Sequence, residues 1–204
     1  MEGDFKLPIE DTATQELRRL FIQFFASHFD RMTLVQRPQT RDPAFKQAVY
    51  RMALHDPVYC LTVVAKAQMD NITNDNLPFE PAKNRLTDLV YTRLLEMTRK
   101  EVESFDIGNV DVLLLAVVTL CEYDLRLDKY AALRSHHAGM LVLVSRRGGA
   151  HNLGLSLPDV LRMDRFLAVR LNQLPQFNPT VLTSSDVIMR QSTSGLPYGF
   201  KLHN

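Results

Sequence analysis

The sequence is poor in the residues that most often announce a chemistry. It has no tryptophan and only two cysteines, Cys60 and Cys121, in 204 residues. Two thiols so far apart cannot supply a cysteine-rich zinc site, which draws on a set of thiolate or imidazole ligands. On apolar helical stretches they read as core residues in a reducing compartment, with a disulfide between them as the alternative. Neither sign of charge predominates: 24 Lys and Arg against 23 Asp and Glu leave a net charge of +1. A broad electrostatic footprint for nucleic acid is therefore not expected. The opening residues, Met1 to Lys6, hold no apolar core of the kind a secretory signal needs. The longest apolar stretch, Val110 to Cys121, contains Asp111 and is too short to span a bilayer. These absences predict a soluble intracellular protein with no membrane association and no direct nucleic-acid binding.

What is present is ordinary for a globular chain: 46% hydrophobic and 23% charged residues. The apolar residues recur at three and four positions and nowhere alternate over a useful length, so the expected class is all-α with no sheet. Residues 1–11 read as an N-terminal arm, 12–174 as a helical bundle of about seven helices including hairpins, and 175–204 as an irregular tail.

Thr12 and Gln15 have capping-box spacing ahead of a first helix. Its stripe of Leu17, Leu20, Phe21, Phe24, Phe25 and Phe29 reads as core, with an apolar ligand pocket as the alternative. Residues 31–41 read as a loop. Asp42-Pro43 and Asp56-Pro57 each open a helix, running to about His55 and about Asp70. Asn71 to Pro81 reads as a loop, and a long helix follows to about Ser104. After Gly108-Asn109, the near-continuous hydrophobicity of Val110–Tyr123 predicts the central helix. A helix from Lys129 to Arg147 should end on Gly148-Gly149, with a glycine taking the left-handed cap. A last helix is expected from Leu157 to Leu174.

Two constellations could carry chemistry. Glu122, Tyr123, Asp124 and Arg126 cluster at the end of the apolar helix. A carboxylate there could serve in acid–base work, although such groups more often end a helix and meet water. His136 and His137 are adjacent, so on a helix they point about a hundred degrees apart and do not readily share a metal. A surface or hydrogen-bonded role is the plainer reading for both. The candidate catalytic residues are thus Tyr123, Asp124, Arg126, His136 and His137. No phosphate loop, nucleophile elbow or metal motif is present, and no cofactor or metal is expected.

The stretch His137-Ala138-Gly139-Met140, Val144-Ser145-Arg146-Arg147-Gly148-Gly149 and Asn152-Leu153-Gly154-Leu155 resembles a pattern of fungus-specific transcription-factor regulatory domains. Met163-Asp164-Arg165-Phe166 and Leu171-Asn172-Gln173-Leu174-Pro175-Gln176-Phe177 are similar to that family's next element. Upstream, Leu54-His55-Asp56-Pro57-Val58 and the helix from Val112 to Tyr123 look like two earlier ones. The likeness covers about residues 45–177 in the right order. Met163 stands where the family usually has tryptophan, and the six-cysteine zinc cluster that reads DNA is lacking.

What the resemblance implies is a helical regulatory module without its DNA-binding part, nuclear by likeness and otherwise cytoplasmic. It would bind a protein partner or an apolar small molecule. Helix faces left bare by the missing part need cover from the tail or from self-association, so a homodimer is expected. The alternative is a cofactor-free cyclase or isomerase of fungal secondary metabolism on the same scaffold.

Overall fold

The computed structural model describes residues 14–29, 43–74, 85–104, 109–154 and 156–177. Among them are seven α-helices and no strand, as the periodicity predicts. They are α1 (Thr14–Gln23), α2 (Pro43–His55), α3 (Pro57–Asn74), α4 (Arg85–Glu103), α5 (Val110–Arg126), α6 (Tyr130–Arg146) and α7 (Leu157–Arg170). Two units separate along the chain, Met1–Pro78 and Phe79–Asn204. Thr12, Asp42, Gly108, Leu155, the arm, the 31–41 loop and the tail beyond Phe177 lie outside the described residues. No described helix is long and apolar enough to cross a membrane.

In the first unit, α1 and α2 both pack on α3. The aromatic stripe of α1 is core: Phe21, Phe24, Phe25 and Phe29 are all buried. Their rings pack on one another and on Tyr50, with Phe25 5.0 Å from Tyr50 and stacked at 5.8 Å on Phe29. A π-helical turn, Phe24–His28, makes this possible, closed by the Phe29 N–H on the Phe24 carbonyl. An α-helix advances about 100° per residue, which would carry Phe29 off the stripe. The wider π turn advances less and brings it back. At the start of α3, the Asp56 carboxylate accepts the Tyr59 N–H at 2.9 Å, the cap that Asp-Pro predicts. The helix runs to Asn74, past the expected stop at Asp70. Asn, Thr and Asp cost only a few tenths of a kcal/mol each in a helix, too little to end one already begun.

In the second unit α5 is central, packing against α4, α6 and α7. Its buried Leu114, Val117, Val118 and Cys121 join Leu133 and Met140 of α6 and Val160 and Leu167 of α7 in one apolar cluster. Cys60 and Cys121 are both free and buried, as expected of core thiols.

Helices α5, α6 and α7 end alike. Beyond each, the backbone turns to positive φ, at Asp128 (53°), at Gly148 (89°, with Gly149 following at 106°) and at Asn172 (50°). The following N–H reaches back to a carbonyl in the last turn: Lys129 to Asp124 at 2.8 Å, Gly149 to Val144 at 2.9 Å and Gln173 to Ala168 at 2.9 Å. This is the Schellman arrangement, which satisfies carbonyls that the helix leaves open. It corrects the expected end of α7, which stops at Arg170 because Asn172 turns left-handed before Leu174 is reached.

Candidate functional site

The buried polar residues of the second unit are few, and burial forces them to find partners. Asp124, in the last turn of α5, has no exposed surface. Its Oδ1 accepts the Tyr91 hydroxyl of α4 at 2.8 Å, and its Oδ2 lies 2.6 Å from His136 Nδ1 of α6. A carboxylate only accepts, so Nδ1 carries the proton in this pair. One carboxylate thereby ties three helices together. Lys129 places its ammonium 4.4 Å from the centre of the Tyr91 ring, and the Tyr91 and Tyr123 rings lie 5.7 Å apart. Burial, then the bond to Asp124, raises the Tyr91 phenol above its ordinary value, and burial raises Tyr123 likewise. Both are neutral phenols at neutral pH.

His137 points the other way round α6, as adjacency predicts. It is buried, and its Nε2 stands 3.4 Å from Asp164 Oδ1 of α7. Asp164 also accepts the N–H groups of Gln176 at 3.2 Å and Phe177 at 3.0 Å, anchoring the chain as it leaves α7. Burial opposes its ionisation, but the bonds from His137, Phe177 and Gln176 outweigh burial and hold the carboxyl below its ordinary value.

A third carboxylate works the same way. Asp111, in the first turn of α5, accepts the Gly154 N–H at 2.9 Å, the Ser156 N–H at 3.2 Å and the Ser156 hydroxyl at 2.6 Å. It holds Gly154 and Ser156, just ahead of α7, against the start of α5. A Cβ at Gly154 would come within 3.3 Å of Asp111 Oδ2, so a side chain there would crowd the carboxylate. Arg162 of α7 completes the set, reaching Glu122 at 2.6 Å and Asp159 at 2.9 Å.

Of the sequence-derived candidates, Asp124 and His136 meet, His137 pairs with Asp164, Tyr123 is wholly buried and Arg126 is half-buried. The expectation that the Tyr123–Asp124 cluster meets water is overturned: helix α4 and His136 close over the carboxylate that ends α5. Sequence reading missed Tyr91, Asp111, Ser156, Arg162 and the pairing role of Asp164. The available signal was an acid set within an apolar helical stripe, which needs a partner from elsewhere in the fold. No described group of three or more His, Cys, Asp or Glu could hold a metal ion.

No family model, curated protein or solved structure matches this chain.

Proposed function

We propose that the chain is a non-enzymatic regulatory or interaction module, binding a protein partner or an apolar small molecule. One observation carries this: the polar side chains that could do chemistry are spent on bonds between helices. Asp124 has both oxygens engaged, and Asp164 holds His137 and two backbone N–H groups. Groups so committed fix geometry and have little left for a substrate. The ordered motifs between Asp56-Pro57 and Phe177 support a likeness to fungal transcription-factor regulatory domains without their zinc cluster. On that likeness the protein works in the nucleus.

The test uses the full chain, tagged and isolated gently from its own cells, then weighed by native mass spectrometry. A bound protein or small molecule is the expected outcome. His136→Asn, which keeps a donor for Asp124 but removes the imidazole base, should leave that partner in place. A bare chain whose turnover of some metabolite vanishes in His136→Asn would overturn the reading.

The second reading, a cofactor-free cyclase or isomerase, is favoured by one feature. The His136 side chain keeps 17% of its surface exposed while a fully buried carboxylate orients its Nδ1. Such a pair leaves Nε2 available as a base. Loss of turnover in both His136→Asn and Asp124→Asn, at unchanged substrate affinity, is the outcome this reading requires.

A further inference from the structure

His136 gives one ring nitrogen to the fold and keeps the other. Its Nδ1 donates to Asp124 at 2.6 Å, so in the neutral ring Nε2 carries a lone pair and can only accept. Nε2 takes no partner among the described residues, and 17% of the side chain is open to water. The buried carboxylate behind the ring, bonded also to Tyr91, fixes both the tautomer and the orientation. The result is an acceptor set in place before anything arrives to use it.

The helix surface beside that acceptor is bare. Ala132 and Gly139 stand one turn before and one turn after His136 on the same side of α6, and all three are partly exposed. Glycine in a helix interior costs stability relative to alanine, so it needs a reason. Neither usual reason applies at Gly139. Its φ is not positive, and a Cβ there would stand in open space with nothing within 4 Å. The packing of the described chain therefore does not require the glycine. What it leaves is a flat floor, no higher than a methyl group, next to a fixed acceptor.

We infer that the strip of Ala132, His136 and Gly139 on α6 binds a small, flat, neutral molecule of the phenol class, whose hydroxyl donates to His136 Nε2. The lone pair selects a donor, and the bare floor selects a flat body. Charge selects neutrality. The Asp124 carboxylate behind the ring repels an anion. The Lys129 ammonium, 4.4 Å from the centre of the Tyr91 ring that shares Asp124, disfavours a cation. The phenol is a second, exchangeable ligand beyond the partner of the interaction reading above, and that partner is expected to stay bound when His136 is changed.

The experiment titrates the full chain with β-naphthol and follows the probe's fluorescence, which no tryptophan obscures. Saturable binding is expected. The methyl ether of β-naphthol, with the same rings and no donor, and β-naphthoate, an anion, should each bind at least about tenfold more weakly. His136→Asn, which keeps a donor for Asp124 and removes Nε2, should weaken β-naphthol roughly tenfold. Gly139→Leu should weaken it as much while the thermal midpoint stays level or rises, since leucine is the better helix former. Ala138→Leu, exposed on the opposite side of α6, should bind as the wild type does.

Equal binding of the methyl ether would overturn the site, as would unchanged binding by His136→Asn or Gly139→Leu. A Gly139→Leu chain that melts lower would overturn it too, because the fold and not a ligand would then require the glycine. Weakening by Ala138→Leu would mark adsorption to the surface, with the same consequence. Native mass spectrometry of the same variants separates this site from the interaction reading. Failure of β-naphthol to bind a chain that still carries its partner overturns the site alone. A bare chain that binds β-naphthol upholds the site and counts against the interaction reading.

Discussion

At the scale of single residues, three carboxylates do the joining in the second unit. Asp124 is the most deeply buried of them, and its two bonds share one charge, so their contributions should not add. Asp124→Asn is expected to cost about 3 kcal/mol and Tyr91→Phe about 1–2 kcal/mol, because each leaves a buried group short of a partner. In a double-mutant cycle by urea unfolding, the coupling between them should exceed about 0.5 kcal/mol; strict additivity would mean that the hydroxyl does not act through the carboxylate. Asp164 gives a dependence on pH. Its folded-state carboxyl titrates below the ordinary value of 3.8. Its contribution is therefore complete above that value and is lost as pH falls through the lower, folded one. The stability difference between the wild type and Asp164→Asn should shrink as pH falls below about 4. A difference that stays constant or widens below about pH 4 would refute the assignment. Cys60 is a buried core thiol, pushed up to about 12 by burial and then by the Asp56 carboxylate.

At the scale of elements, the ends of the helices are decided by residues that accept a left-handed backbone. Gly148 does so without a Cβ, and a Cβ there would also fall 2.8 Å from Asn152 Nδ2. Gly148→Ala should lower stability by about 1–2 kcal/mol. Gly148→Asn should cost less, since Asn172 already fills the matching place after α7. Thermal melts that rank the two the other way would show that space, and not backbone conformation, governs this cap. The same logic explains why the expected ends of α6 and α7 differ in quality. A double glycine is an unambiguous stop, whereas an asparagine becomes one only when the helix has somewhere to turn.

At the scale of the molecule, each unit carries its own apolar centre, the aromatic cluster around Phe25 in one and the α5 helix in the other. Several large apolar side chains nonetheless stay in water, among them Ile22, Val142, Val169 and Leu174. Cover for such faces can come from self-association or from a partner. A homodimer is the expected state of the isolated chain, and sedimentation velocity across micromolar concentrations should show its mass. A strict monomer over that range would leave the faces to partner binding alone.

The sequence by itself determined the all-helical class, the Asp56-Pro57 start of α3, the double-glycine end of α6 and the central place of α5. These depend on period, caps and mean apolarity, all of which act over a few neighbouring residues. It also showed that His136 and His137 must diverge, since the helix repeat alone separates them. Only the tertiary structure decided where they point. Asp124 meets Tyr91 from 33 positions away and Asp111 meets Ser156 from 45. No local pattern encodes such pairs, because burial sets the need for a partner while helix packing chooses which one arrives. That is why the acid at the end of α5, which looked like a solvated helix terminus, became the buried knot of the second unit.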